Sequence, residues 1–186
     1  MKLKKCNAAL SLLTSLLLLL HLGYSVYAYL TFYYNPALTK LFSGLLMGAV
    51  CLHAVLGMCA VFLLGDGPGA ALYPRQNRRT VAQRVSAALF FPLLILHMQT
   101  FSLLQSGAAS GKWLGFALLI AAQVLFYADV LLHTAVSLSR ALVTLGWLPS
   151  EKTRKRLDRA LLILAALLLV LAAVSVTRTQ LIMFVH

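Results

Sequence analysis

Four histidines, His21, His53, His97 and His133, each stand inside a different stretch of strongly apolar sequence; a fifth, His186, is the last residue. FFPLLILHMQT, from Phe90 to Thr100, shows the pattern: an imidazole in the middle of a segment greasy enough to lie in lipid. A lone histidine in one such segment is most often a packing or hydrogen-bonding residue. One in each of four consecutive segments is a set, and ionisable groups in such segments tend to be functional. Burying an unpaired imidazole is costly, whereas coordination to iron satisfies the nitrogen and lets a macrocycle fill the space between helices. Two facing pairs of histidines would hold two haems.

The elements that must position these side chains are membrane helices. The chain has 186 residues, 61% of them hydrophobic and 11% charged, with a mean hydropathy of +0.89. Such a balance lies outside the range of soluble globular domains and fits a polytopic membrane protein. A hydrocarbon layer about 30 Å thick takes roughly 20 apolar residues at 1.5 Å each. Five windows of that length fall near Leu10 to Tyr33, Leu41 to Gly65, Val81 to Leu104, Trp113 to Ser139 and Ala160 to Phe184. The expected fold is all-α, a single five-helix transmembrane domain over residues 1–186. Turns are marked by YYNPALTK, GDGPGAALYPRQNRR, QSGAASGK and GWLPSEKTRKR, with Pro36, Pro68, Pro74 and Pro149 expected to stop helices and Gly65, Gly67 and Gly69 to loosen the chain. Pro92 is expected to free a backbone carbonyl and kink the third helix.

The start of the chain has the charged and apolar parts of a cleavable signal peptide, with small Ala28 at its end. Because the apolar run continues to Tyr34, it is read as a span that stays. Cys6, Cys51 and Cys59 show no paired spacing for a disulfide or metal knuckle and are read as packing residues. The chain has no phosphate loop, dinucleotide fingerprint or nucleophile elbow, so chemistry on soluble substrates is assigned to another subunit.

A formal charge of +12 could suggest nucleic acid, but the charges are clustered between spans. Lys2, Lys4 and Lys5 precede the first; Arg75, Arg78, Arg79 and Arg84 surround the start of the third; Arg140, Lys152, Arg154, Lys155, Arg156 and Arg159 lie between the fourth and fifth. The other two connections hold Lys40 and Lys112. The positive-inside rule therefore places the N-terminus and both basic loops in the cytoplasm and His186 outside, in a multi-pass protein of the cytoplasmic membrane. The basic loops are read as topology signals in contact with lipid headgroups, and the one from Arg140 to Arg159 as a candidate dock for a soluble partner.

Helical rise assigns depths. On the outward-running first and third spans, His21 and His97 both come out near 20 Å from the cytoplasmic edge, whereas His53 and His133, on the inward-running second and fourth, come out at roughly 10 to 17 Å. The first and third helices should then share an outer haem, and the second and fourth an inner one. Gly23, Gly44, Gly48, Gly57, Ala135 and Ser137 near these histidines would allow either close helix approach or room for a porphyrin face. Asp129, one helical turn before His133, is the one acid within a span.

QRVSAALFFPLLILH, in which Gln83 and Arg84 open the span and His97 follows thirteen residues after the arginine, resembles the third helix of the dihaem cytochrome b subunit of succinate dehydrogenases and fumarate reductases. HTAVSLSRALVTLGWLPSEKTRKRLDR is similar to the fourth helix and following cytoplasmic loop of the same subunits. Five spans with histidines on the first four extend the resemblance over nearly the whole chain.

It implies a membrane anchor that binds two b haems. It would exchange electrons between a membrane quinone, usually menaquinone, and a cytoplasmic iron-sulfur subunit that serves a flavoprotein interconverting succinate and fumarate. By the same resemblance, His53 and His133 ligate the inner haem, His21 and His97 the outer one, and Arg84 meets a haem propionate or serves as a membrane anchor. Relatives that move protons here use a glutamate nearer the histidine than Asp129, which sets a proton path at Asp129 beside a plain hydrogen-bonding role. The resemblance assigns no quinone site; Tyr33, Tyr34, Asn35, Lys40 and Gln99 are polar groups at a suitable depth that also suit the membrane interface.

The second reading is a cytochrome b of the hydrogenase or nitrate reductase type, which commonly places two ligands on one helix. The third is a haem-free transporter with a histidine relay. That reading expects acids among the histidines, and Asp129 alone fits it.

Overall fold

The computed structural model describes residues 2–63, 77–105 and 112–185. The turn from Gly65 to Pro74, with Arg75, the glycine-rich stretch from Ser106 to Gly111, and His186 lie outside the described residues. The rest forms five helices: α1 (Lys2–Thr31), α2 (Pro36–Leu63), α3 (Arg78–Gln105), α4 (Trp113–Leu145) and α5 (Glu151–Val185). Each is long and apolar enough to cross a membrane. The helices overrun the apolar windows at several ends; α5 has 35 residues, about 52 Å of rise against a hydrocarbon layer of about 30 Å.

Burial is distributed as a lipid solvent demands. Large apolar side chains face outward, among them Phe62 at 79% exposure, Leu114 at 76% and Leu167 at 63%. Inside, Ser86, Thr100, Gln123, Ser139, Ser175, Thr179 and Gln180 are all buried. Water would drive such a surface to associate, whereas lipid is indifferent to leucine and penalises exposed polar groups.

α4 is the central element. It packs on α3, α5 and α1, while α1 also packs on α2 and α5. Among the described residues, α2 packs extensively on α1 alone. Direction alternates along the chain: Arg79 at the start of α3 meets Ser139 near the end of α4 and Asp158 at the start of α5, whereas at the other end Thr179 donates to the Tyr29 carbonyl at 2.6 Å.

The turns have local causes. Phe32 ends α1 with φ 58°, a left-handed conformation that a side chain rarely takes, and its ring lies 5.9 Å beneath the Arg178 guanidinium. Asn35 then caps α2: its side-chain oxygen accepts the Ala37 and Leu38 amides, while its own amide donates to the Tyr24 hydroxyl at 2.8 Å. Pro36, expected to stop a helix, is instead the first residue of one, where its missing N–H costs nothing. At the far end of α4, Gly146 at φ 80° closes the helix by donating to the Leu142 and Val143 carbonyls. Ser150 starts α5, its hydroxyl accepting the Thr153 amide at 3.2 Å. α3 continues helical through Pro92.

Candidate functional site

The four histidines are all partly buried, each on its own helix, and they interact in two pairs. His21 on α1 and His97 on α3 lie within electrostatic reach of each other, and so do His53 on α2 and His133 on α4. These are the partners that share a depth by helical rise. Ser86 bonds to His133, so along α3 the two levels are 11 residues, about 16 Å, apart. The helices that carry each pair, α1 with α3 and α2 with α4, do not pack extensively on each other among the described residues.

His97 is the most firmly held of the four. Its Nδ1 is bonded to Oε1 of Gln123 on α4, and Nε2 of the same amide donates to the His97 carbonyl at 2.9 Å. The Phe126 ring stacks on the imidazole at 4.5 Å between centroids, and Tyr127 meets it edge-on at 5.8 Å. His133 is held through Nδ1, 2.9 Å from the Ser86 hydroxyl. Both rings leave Nε2 as the nitrogen to offer a metal, the arrangement in which the far nitrogen fixes ring orientation and tautomer.

His21 and His53 are held less tightly, each with a buried Nδ1 that has no hydrogen-bond partner among the described residues. His53 lies against the Asn7 backbone of α1, and Gly57, one turn on, faces the Asn7 side chain. One imidazole from each of two helices at each level fits a group that takes one donor from each side. A bare ion would ask for more: structural zinc takes four donors. Among the described residues no cluster of three or more histidines, cysteines, aspartates or glutamates is arranged to hold one.

The remaining sequence candidates divide. Arg84, two residues before Ser86, belongs with Arg79 and Arg154 to a basic cluster around Arg140. Asp129 is buried at 8% exposure, and its Oδ2 has no partner among the described residues. Gly44 and Gly48 do not bring helices together, since a methyl group at either would meet open space. Of the polar groups at quinone depth, Asn35 is used in the α1–α2 turn, while Tyr33, Tyr34, Lys40 and Gln99 are exposed at the bundle surface. None of them lines the apolar groove of about 690 Å³ between α4 and α5, whose walls include Trp113, Phe116, Ile120, Val124 and Thr177.

Two features escaped the sequence reading. Gln123 was visible as a lone amide inside ALLIAAQVLFYADVLLH, a signal of the same kind as the histidines. The other is Arg79, whose guanidinium holds both carboxylate oxygens of Asp158 while donating to the Ser139 hydroxyl and Val136 carbonyl. Beside it Arg140 donates to Gln83 at 2.7 Å and to the Thr80 hydroxyl. Together they lock α3, α4 and α5 at the basic end, next to the His53–His133 level.

Compared with known proteins, the chain matches no family model, no curated protein and no solved structure. Its fold is established as an all-α bundle of five helices able to span a membrane, and its function rests on the histidine geometry.

Proposed function

We propose that the chain is a dihaem cytochrome b membrane anchor of a succinate dehydrogenase or fumarate reductase complex. In this reading it passes electrons between a membrane quinone, menaquinone by preference, and a cytoplasmic iron-sulfur subunit that serves a flavoprotein. The observation that carries this reading is the pairing of four intramembrane histidines at two levels, one residue per helix, across helix pairs that do not pack extensively on each other among the described residues. When bound, two b haems supply a one-electron carrier at each level.

The chain's own residues have separable tasks. His21 and His97 present imidazoles at the level far from the basic end, and His53 and His133 at the level near it. Arg84 and Arg140 bring positive charge to the near level, where a propionate would be neutralised. The apolar exterior excludes water from both levels. The basic end, with Lys152, Arg154, Lys155, Arg156 and Arg159, faces the iron-sulfur subunit. Neither the dicarboxylate nor its flavin is handled by this chain.

The test uses the protein purified in mild detergent from its native membrane with whatever subunits accompany it. Haem absorbance reduced by a quinol analogue is expected to be reoxidised on addition of fumarate, or reduced by succinate. A haem signal that responds to neither dicarboxylate, in a preparation lacking a flavoprotein, would assign the chain to another oxidoreductase.

A further inference from the structure

Gln123 is completely buried at 0% exposure on a membrane helix, and every hydrogen-bonding direction the structure gives it is used locally. Its Nε2 donates to the His97 carbonyl at 2.9 Å, and its Oε1 faces both the His97 Nδ1 and the Tyr127 hydroxyl, the latter at 3.2 Å. The orientation of the amide is not arbitrary. A carbonyl only accepts, so the NH₂ must point at the His97 backbone and the oxygen at the imidazole. That oxygen carries no proton, so His97 must carry one on Nδ1. Nε2 is therefore the bare nitrogen.

His133 reaches the same tautomer by a weaker device. The Ser86 hydroxyl lies 2.8 Å from the Ala82 carbonyl and 3.1 Å from that of Gln83, neither of which can donate. Its one proton goes to the backbone and a lone pair is left for the His133 Nδ1 proton. An amide oxygen is intrinsically a stronger acceptor than a hydroxyl oxygen, so the two levels are built unequally.

We propose that Gln123 is the positioning residue that selects the His97 tautomer and, through the strength of its Nδ1–H···O bond, sets the reduction potential at the His21–His97 level, with Tyr127 moderating it. This rests on the haem reading above. A strong acceptor on Nδ1–H makes the imidazole a better electron donor through Nε2, which favours the oxidised metal. Tyr127 acts in the opposite sense, because its hydroxyl draws on the same oxygen and weakens the acceptance from His97.

Redox titration of the purified protein, followed by visible absorbance, separates the two haems. Gln123→Leu is expected to raise the midpoint of one haem and leave the other unmoved, and Tyr127→Phe to lower the same midpoint by a smaller shift. Two unchanged midpoints in Gln123→Leu would overturn the proposal, as would shifts of both haems together. Should Gln123→Leu lose its haem, Tyr127→Phe decides: a lowered midpoint supports the proposal and an unchanged one overturns it. Should the wild type carry no haem, the functional reading fails separately. The tautomer is then read from imidazole ¹⁵N shifts, where the Nδ1–H form of His97 must be present in the wild type and lost in Gln123→Leu.

Discussion

His97→Ala is expected to remove one of two haems and leave the other spectrally intact, and His133→Ala to remove the one that His97→Ala spares. In the haem reading each level would take one donor from each of two helices, so losing either imidazole would leave the group held from one side only. The pairs make the sharper statement, because effects within one site are non-additive while effects at separate sites add. His21→Ala combined with His97→Ala should lose no more haem than either alone. His97→Ala combined with His133→Ala should lose both. Haem content by pyridine haemochrome on each purified variant reads this directly. A double variant of His21 and His53 that lost a single haem would contradict the assignment of His21 with His97 and His53 with His133.

Asp158→Ala is expected to be the most damaging change at the basic end. The Arg79 side chain is 33% exposed and that of Asp158 16%, and Arg79 is also spent on Ser139 and the Val136 carbonyl, so it cannot swing free without breaking contacts with α4. Removing one partner of a fully buried pair costs roughly 3–5 kcal/mol, and partial exposure lowers the expectation to about 2 kcal/mol. Replacing both partners by leucine should recover much of that loss, because no unpaired charge is then left behind. Thermal unfolding in detergent measures both variants. A single variant as stable as the wild type would show that the bridge contributes nothing to the helix lock.

How far the sequence announces this molecule depends on the range of the interaction. Helix number was legible because lipid requires about 20 apolar residues in succession, and the histidines stood out because each lies within a strongly apolar segment. Depth followed from helical rise, and the rings that share a depth in that count are the ones whose charges interact in the fold. Contacts between distant positions were not legible. Arg79 and Asp158 are 79 residues apart, and each reads locally as one more charge in a basic loop. Gln123 could have been flagged, but its partner depends on how α3 and α4 rotate against each other, which apolar runs do not encode. Pro36 was read as a stop because proline ends helices; at the first helical position the same ring starts one. Gly44 and Gly48 suggested either a close approach of helices or room for a porphyrin face; among the described residues α2 packs extensively on α1 alone and a methyl group at either glycine would meet open space, so they bring no helices together.

The most direct test of the central claim is the haem-to-protein ratio of the wild-type chain purified from its native membrane, read from a dithionite-reduced minus oxidised spectrum with pyridine haemochrome quantitation. The paired histidines call for two b haems per chain. A chain recovered intact and folded with no haem would contradict the account and leave His21, His53, His97 and His133 as a haem-free relay.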